Sequence, residues 1–327
     1  MDKLIINILS SAMVHQGDNN FMRYVYRGEE SEWIPWEATH ITVAEDCTFV
    51  RAHSFYEHPN IVEVICHENV KKIEEYAFSN CPNLRRVIMP GVKIVETMSL
   101  QLCPALIDVE CGKLEIIKEE AFHNCTSLMI INLTSARIVE MNAFSYTKLS
   151  NVKFGSKLER IEGEAFGACT NLERITIPLK DNLIIRNDTF IECAQLKYVD
   201  LVERALDEIS IAALQLEEWR NDMNDEIDSI NHILPDTWEG QYDDYEFDDD
   251  DPGQKAEAIR RWIRSVLGKI NHYKAEHERL LNEAVSTLQH ALPHDILMNN
   301  VLPFLALPSH TFEEDDHVSE EDDSDDE

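Results

Sequence analysis

Eight cysteines are the side chains in this 327-residue sequence best equipped for chemistry. A thiol can pair into a disulfide, ligate zinc as a thiolate, or act as a nucleophile. Their spacing argues against all three. The steps Cys81 to Cys103, Cys103 to Cys125, Cys125 to Cys169 and Cys169 to Cys193 are 22, 22, 44 and 24 residues, and no CxxC or Cys/His zinc spacing occurs. This is one cysteine per structural unit, each expected to sit buried as a small apolar side chain. All eight are therefore expected as free thiols, which points to a reducing compartment, cytoplasmic or nuclear, over a secreted one.

The other chemical candidates fail on geometry. "DDDDPGQKAEAI" places Asp248, Asp250 and Gly253 as a calcium loop would, but Pro252 falls at position five and Ile259 stands where a bidentate glutamate is required. His290 and His294 are four apart, yet Pro293 breaks the helix that would align them. GxSxG, HExxH, GxxxxGK(S/T) and GxGxxG are all missing, so no enzyme, metal or cofactor is expected. Ser319 and Ser324 each have an acidic residue three positions on, similar to sites of acidophilic kinases. The sequons at Asn124, Asn132 and Asn187 matter only for a secreted chain.

Net charge is -33, and nineteen acidic residues sit in two runs, eight in 239–251 and eleven in 311–327, leaving -14 elsewhere. Such a surface repels phosphate backbones, so no nucleic-acid partner is expected. No run nears ~18 consecutive apolar residues, so no membrane span is expected. Residues 1–20 contain "LIINILSSAMV" without a basic flank or a clear cleavage site, and stand as an N-terminal extension that could be a signal or a misassigned start.

The elements that would position these residues announce themselves by repetition. Phe55, Phe78, Leu100, Phe122, Phe144, Phe166 and Phe190 follow steps of 23, 22, 22, 22, 22 and 24. Five residues before each stands Val50, Ile73, Val95, Ile117, Val139, Ile161 or Ile185. Six after come Ile61, Leu84, Leu106, Leu128, Leu172 and Leu196, with Leu149 one residue early in the fifth unit. Val64, Val87, Val109, Ile131, Val152, Ile175 and Val199 follow, then Cys66, Met89, Cys111, Leu133, Phe154, Ile177 and Leu201. The L-x-x-V-x-L segment has the two-residue period of a strand. One such strand cannot bury its apolar face alone, so the units must stack into a parallel sheet, with the Val/Ile and Ala-Phe columns lining the opposite wall.

This I-x-x-x-A-F-x-x-C-x-x-L-x-x-V/I-x-L/M pattern over 41–201 resembles the BspA-type leucine-rich repeats. It departs at Ser99-Leu100, at the fifth unit, which lacks the cysteine, and at His58 in the first unit's cysteine position. The resemblance implies an α+β chain built on a right-handed leucine-rich-repeat solenoid, and a non-catalytic protein-binding role. "FMRYVYRG" and "ATHITVAE" read as a strand pair capping its N-terminal end, giving a solenoid domain over 21–202. Outward strand positions form two rows. Glu63, Arg86, Asp108, Ile130, Arg174 and Tyr198 belong to one, and Ile65, Ile88 and Lys153 to the other; these nine are the candidate contacts for an unidentified protein partner.

Beyond the solenoid, 203–307 reads as a helical region around an acidic loop at 236–253. Leu216, Trp219, Met223, Ile227, Ile230 and Leu234 form one apolar stripe ended by Pro235. A second stripe runs Ile259, Ile263, Val266, Ile270, Tyr273, His277, Leu280, Ala284, Leu288 and Ala291 at near-heptad spacing. The two are expected to form a helical hairpin in a monomer, with homodimerisation through helix 254–292 as the alternative. "LPHDILMNNVLPFLALP" at 292–308 is similar to the opening of an F-box, which gives an alternative role as a ubiquitin-ligase adaptor. Residues 308–327 read as a disordered acidic tail.

Overall fold

A chain that returns to the same side-chain pattern every 22 residues coils upon itself. The computed structural model describes residues 13–14, 21–202, 217–236, 255–297 and 299. Within them the turns contribute parallel front strands of two to four residues and parallel back strands of two. The front strands are β2 (Arg23–Tyr26), β3 (His40–Val43), β5 (Glu63–Ile65), β7 (Arg86–Ile88), β9 (Asp108–Glu110), β11 (Ile130–Ile131), β13 (Asn151–Lys153), β15 (Arg174–Ile177) and β17 (Tyr198–Leu201). They form the front face, ordered β2-β3-β5-β7-β9-β11 and then β13-β15-β17, with β1 (Met13–Val14) antiparallel beside β2.

The short strands build a second sheet, ordered β16-β14-β12-β10-β8-β6-β4, where the sequence led us to expect only an apolar wall. They are Phe49–Val50 (β4), Lys72–Ile73 (β6), Ile94–Val95 (β8), Ile116–Ile117 (β10), Ile138–Val139 (β12), Arg160–Ile161 (β14) and Ile184–Ile185 (β16). The Val/Ile column is the inward member of each pair and is buried throughout. Two residues are too few for periodicity to reveal a strand, but stacking in register pairs their backbones. The expected N-terminal cap also differs. β2 and β3 are parallel members of the front sheet, so they are further turns of the coil.

Between the sheets, the anchor rings stack along the coil axis. Phe55 lies 4.8 Å from Phe78, Phe122 lies 5.2 Å from Phe144, and Phe144 lies 5.5 Å from Phe166, each pair within 10° of parallel. Leu100 interrupts the stack. The chain rounds the first six anchors through left-handed backbone at the second residue before and the second after each, and Phe190 only at Glu192 after it. His53 and Glu57, Tyr76 and Asn80, Met98 and Leu102, Glu120 and Asn124, Asn142 and Tyr146, and Glu164 and Ala168 all have positive φ. Most are residue types that disfavour this region.

The cysteine column forms a thiol ladder. The thiols of Cys81, Cys103, Cys125, Cys169 and Cys193 donate to the carbonyls of Phe55, Phe78, Leu100, Phe144 and Phe166, the anchors of neighbouring turns, at 3.0–3.2 Å. His58 takes the first rung, its Nε2 3.0 Å from the Pro35 carbonyl. Thr147 takes the fifth, its hydroxyl 3.2 Å from the Cys169 sulfur. All eight cysteines are free and buried.

Helices α1 (Glu217–Asp236) and α2 (Lys255–Leu288) pack antiparallel. Trp219 stacks on Tyr273 at 4.9 Å, Asp222 accepts from Lys269 at 2.8 Å, and the Trp262 indole donates to the Glu226 carbonyl at 2.8 Å. Pro235 lies one residue before Asp236, where α1 ends. The α2 stripe is buried only as far as His277; Leu280 and Ala291 are exposed. Its first half seals the solenoid, since Ile259, Trp262, Ile263 and Val266 join the same core as Phe190, Leu196 and Val199. The Lys255 ammonium donates to the carbonyls of Cys193 at 2.9 Å and Leu196 at 2.8 Å. Arg260 reaches the Ile185 carbonyl at the edge of β16, and the Asn231 side chain accepts from the Val199 amide at 3.0 Å. A three-residue helix, α3 (His294–Ile296), follows. The N-terminal extension 1–20 apart from 13–14, the segment 203–216, the acidic loop, most of 298–308 and the tail with Ser319 and Ser324 lie outside the described residues.

Candidate interaction surfaces

Pleating sends alternate side chains of each front strand to solvent, and parallel stacking lines those side chains up in register. Glu63, Arg86, Asp108 and Ile130 are successive neighbours across β5, β7, β9 and β11, and Ile65 and Ile88 are neighbours in the adjoining row. Lys153, Arg174 and Tyr198 fall on the β13-β15-β17 portion, so the nine candidates do not form one unbroken rung.

The two arginines are already occupied. Arg86 Nε is 3.1 Å from Asp108, its guanidinium is 3.7 Å from Glu63, and it bonds Glu110 as well. Arg174 holds Asp200 through two contacts of 2.8 and 2.7 Å and lies over the Tyr198 ring at 4.4 Å. Such exposed pairs are screened by solvent, so they organise the surface more than they stabilise it.

The front face breaks between β11 and β13. The fifth unit reaches Leu149 one residue early, and among the described residues the only strand pairing across the junction is the bridge Leu133 to Phe154, beside a backbone bond from the Lys148 amide to the Leu128 carbonyl at 3.0 Å. Beside this break, at β11 and at the entries to β9 and β11, three large apolar side chains are exposed. Ile130 is 74% exposed, Met129 50% and Ile107 49%. Ile130 was anticipated from its outward position; Ile107 and Met129 were missed because they precede the strand pattern. The signal was available in the shortened spacing before Leu149.

A second surface escaped the sequence reading. The loop between β2 and β3 carries "EWIPWE", in which Ile34 and Pro35 are buried while Trp33 and Trp36 are 58% and 53% exposed. Elsewhere, an open groove of ≈1010 Å³ runs along the back sheet to α2, lined by Glu140, Arg160, Glu162, Ile184, Arg186 and Arg260 among others. Its guanidiniums are engaged: Arg186 is 3.1 Å from Glu162, Arg160 is 3.5 Å from Glu162, and Arg260 bonds Glu257. This is no ready anion site. Among the described residues no three or more His, Cys, Asp or Glu side chains converge as metal ligands, and no described helix is long and apolar enough to cross a membrane.

In the ladder, burial pushes the Cys169 thiol up to about 11 and raises that of Cys125, while the Cys81 thiol is raised by its contact with Cys103 and by burial. The ladder is therefore poorly suited to nucleophilic work at neutral pH. Desolvation pulls the Lys255 ammonium down to about 8.

A family model described as a BspA type leucine rich repeat region matches residues 36–136 and 103–216, with six copies. The chain belongs to the BspA-type leucine-rich repeat family. Repeats of this family are generally protein-interaction scaffolds. Among solved structures, a leucine-rich repeat protein of T. pallidum is 18% identical, with 57% of this chain and 78% of that one covered and a TM-score of 0.37. The pneumococcal vaccine antigen PcpA is 16% identical over 58% of this chain and 59% of its own, at 0.37. A leucine-rich repeat protein from Bacteroides ovatus is 16% identical over 58% and 75%, at 0.23. No curated protein matches. The F-box-like reading of 292–308 gains no supporting observation from this BspA-type protein, since most of that segment lies outside the described residues.

Proposed function

We propose that this BspA-type protein is a non-catalytic scaffold that binds a protein partner on the outward face of the front sheet, centred on the break beside β11. The observation that carries this reading is the coincidence of the interrupted ladder with Ile107, Met129 and Ile130. Ile130 on β11, with Met129 and Ile107 at the entries to β11 and β9, gives a partner a desolvated centre, and the ion pairs around Arg86 and Arg174 form a polar rim. The test is affinity capture with the full chain beside an Ile107→Asp/Ile130→Asp variant. Loss of the principal partner with an unchanged melting temperature supports the reading; an identical set of captured proteins refutes it.

A further inference from the structure

Two tryptophans in one short loop both face solvent, although the loop's backbone is tied down along its length. The Tyr24 hydroxyl donates to Glu32 at 2.9 Å and to the Trp33 carbonyl at 3.3 Å. Glu32 in turn accepts from the amides of Arg27 and Glu29 at 3.0–3.1 Å. The Pro35 carbonyl accepts from Ala38 N–H at 2.9 Å and sits 3.0 Å from His58 Nε2. Asn60 Nδ2 donates to the Trp36 carbonyl at 2.7 Å, and the Trp36 indole stacks on His58 at 5.4 Å with 28° between the planes. Ile34 and Pro35 are the buried anchors. A disordered loop exposes tryptophan by accident of motion; this one holds both indoles out on a fixed frame. Tryptophan is the side chain most enriched at binding hot spots, and a rigid platform spends little ordering entropy on association.

The charge around the platform selects the partner. Residues 27–39 hold four glutamates and a single basic residue, Arg27. Glu32 is consumed by the loop's own amides, while Glu29, Glu30 and Glu37 are exposed with no ion-pair partner among the described residues. An indole face flanked by carboxylates attracts a guanidinium or ammonium through its quadrupole and through ion pairing together. The whole chain, at -33, steers cationic partners toward it.

We infer that the loop bearing Trp33 and Trp36 is a docking site for a basic peptide segment, whose arginine or lysine side chains lie on the indoles and pair with Glu29, Glu30 and Glu37. This site is separate from the β11 break and stands independently of the reading given to that face.

The test uses the full chain and a fluorescein-labelled peptide of three Arg-Gly-Gly units, followed by fluorescence anisotropy at 150 mM salt. A neutral proline-rich peptide of equal length is the comparison. Trp33→Ala/Trp36→Ala leaves the net charge unchanged and should weaken the arginine peptide at least tenfold. Glu29→Gln/Glu30→Gln/Glu37→Gln should weaken it severalfold, with the melting temperature preserved in both. Binding of the tryptophan variant within twofold of wild type would assign the affinity to the acidic runs and overturn the proposal. So would tighter binding of the neutral peptide. Should the double variant lose stability, the glutamine variant alone decides, because its three side chains are exposed and have no ion-pair partner among the described residues.

Discussion

Replacing one rung of the thiol ladder should remove a calculable part of the pH dependence of this protein's stability. The Cys169 thiol is fully buried, donates to the Phe144 carbonyl at 3.1 Å, and is pushed by burial from 9.0 to about 11. In the unfolded chain it ionises near 9, while in the folded chain it stays neutral. A raised folded-state value means the contribution is intact below pH 9 and is lost as pH climbs toward 11. At pH 10 the unfolded state gains about 1.4 kcal/mol from ionising this one thiol. Lys255 works in the opposite sense. Its value falls from 10.5 to about 8, so it adds stability as pH rises through that window, an effect present in wild type and variant alike that masks the thiols when only one protein is measured. The clean readout is therefore a double difference. Cys169→Ala and wild type are unfolded with guanidinium chloride under reducing conditions at pH 7 and at pH 10. The variant's destabilisation at pH 7, largely a cavity effect, should shrink by about 1.4 kcal/mol at pH 10, because only the wild type still carries the thiol that ionises on unfolding. A destabilisation that does not change between the two pH values would refute the claim that the ladder is buried and neutral.

Three further outcomes follow from the columns of the coil. Ser99 is buried with its hydroxyl unpartnered, where the neighbouring turns have Ala77 and Ala121, so Ser99→Ala should stabilise by about 1 kcal/mol in the same denaturation assay. Leu102 has a φ of 56° in the column that carries Asn80 and Asn124, and Leu102→Asn should raise the melting temperature by the equivalent of about 0.5–1 kcal/mol; a lower melting temperature would contradict the strain argument. Phe122 lies fully buried against Phe144, and Phe122→Ala should cost about 3–5 kcal/mol, measured as a lowered unfolding midpoint.

The repeat was legible because every turn must place the same side chains in the same core. Phe78, Cys81, Leu84, Val87 and Met89 were assignable from recurrence alone, and all are fully buried. The back sheet was not legible, since a two-residue strand such as Ile94–Val95 has no period to read. Nor were the left-handed residues, because Met98, Leu102 and Glu120 carry none of the glycine signature that normally marks such backbone. The outward rows were correct in position, yet sequence could not foresee that Arg86 would be held among Glu63, Asp108 and Glu110, which depends on three different turns arriving in register. Trp33 and Trp36 were overlooked for the opposite reason: they lie outside the repeat, and attention to recurrence hides what occurs once.

A stack of parallel turns has no intrinsic length, because its last strand offers the same open edge as every strand before it. In this protein that edge is spoken for at the C-terminal end. Asn231 occupies the Val199 amide, Arg260 the Ile185 carbonyl, and Lys255 the carbonyls of Cys193 and Leu196. A free strand arriving from another molecule finds these groups already bonded and the core beneath them roofed by Ile259, Trp262 and Val266. The helical pair thus covers, at this end, the edge on which a further turn would otherwise stack.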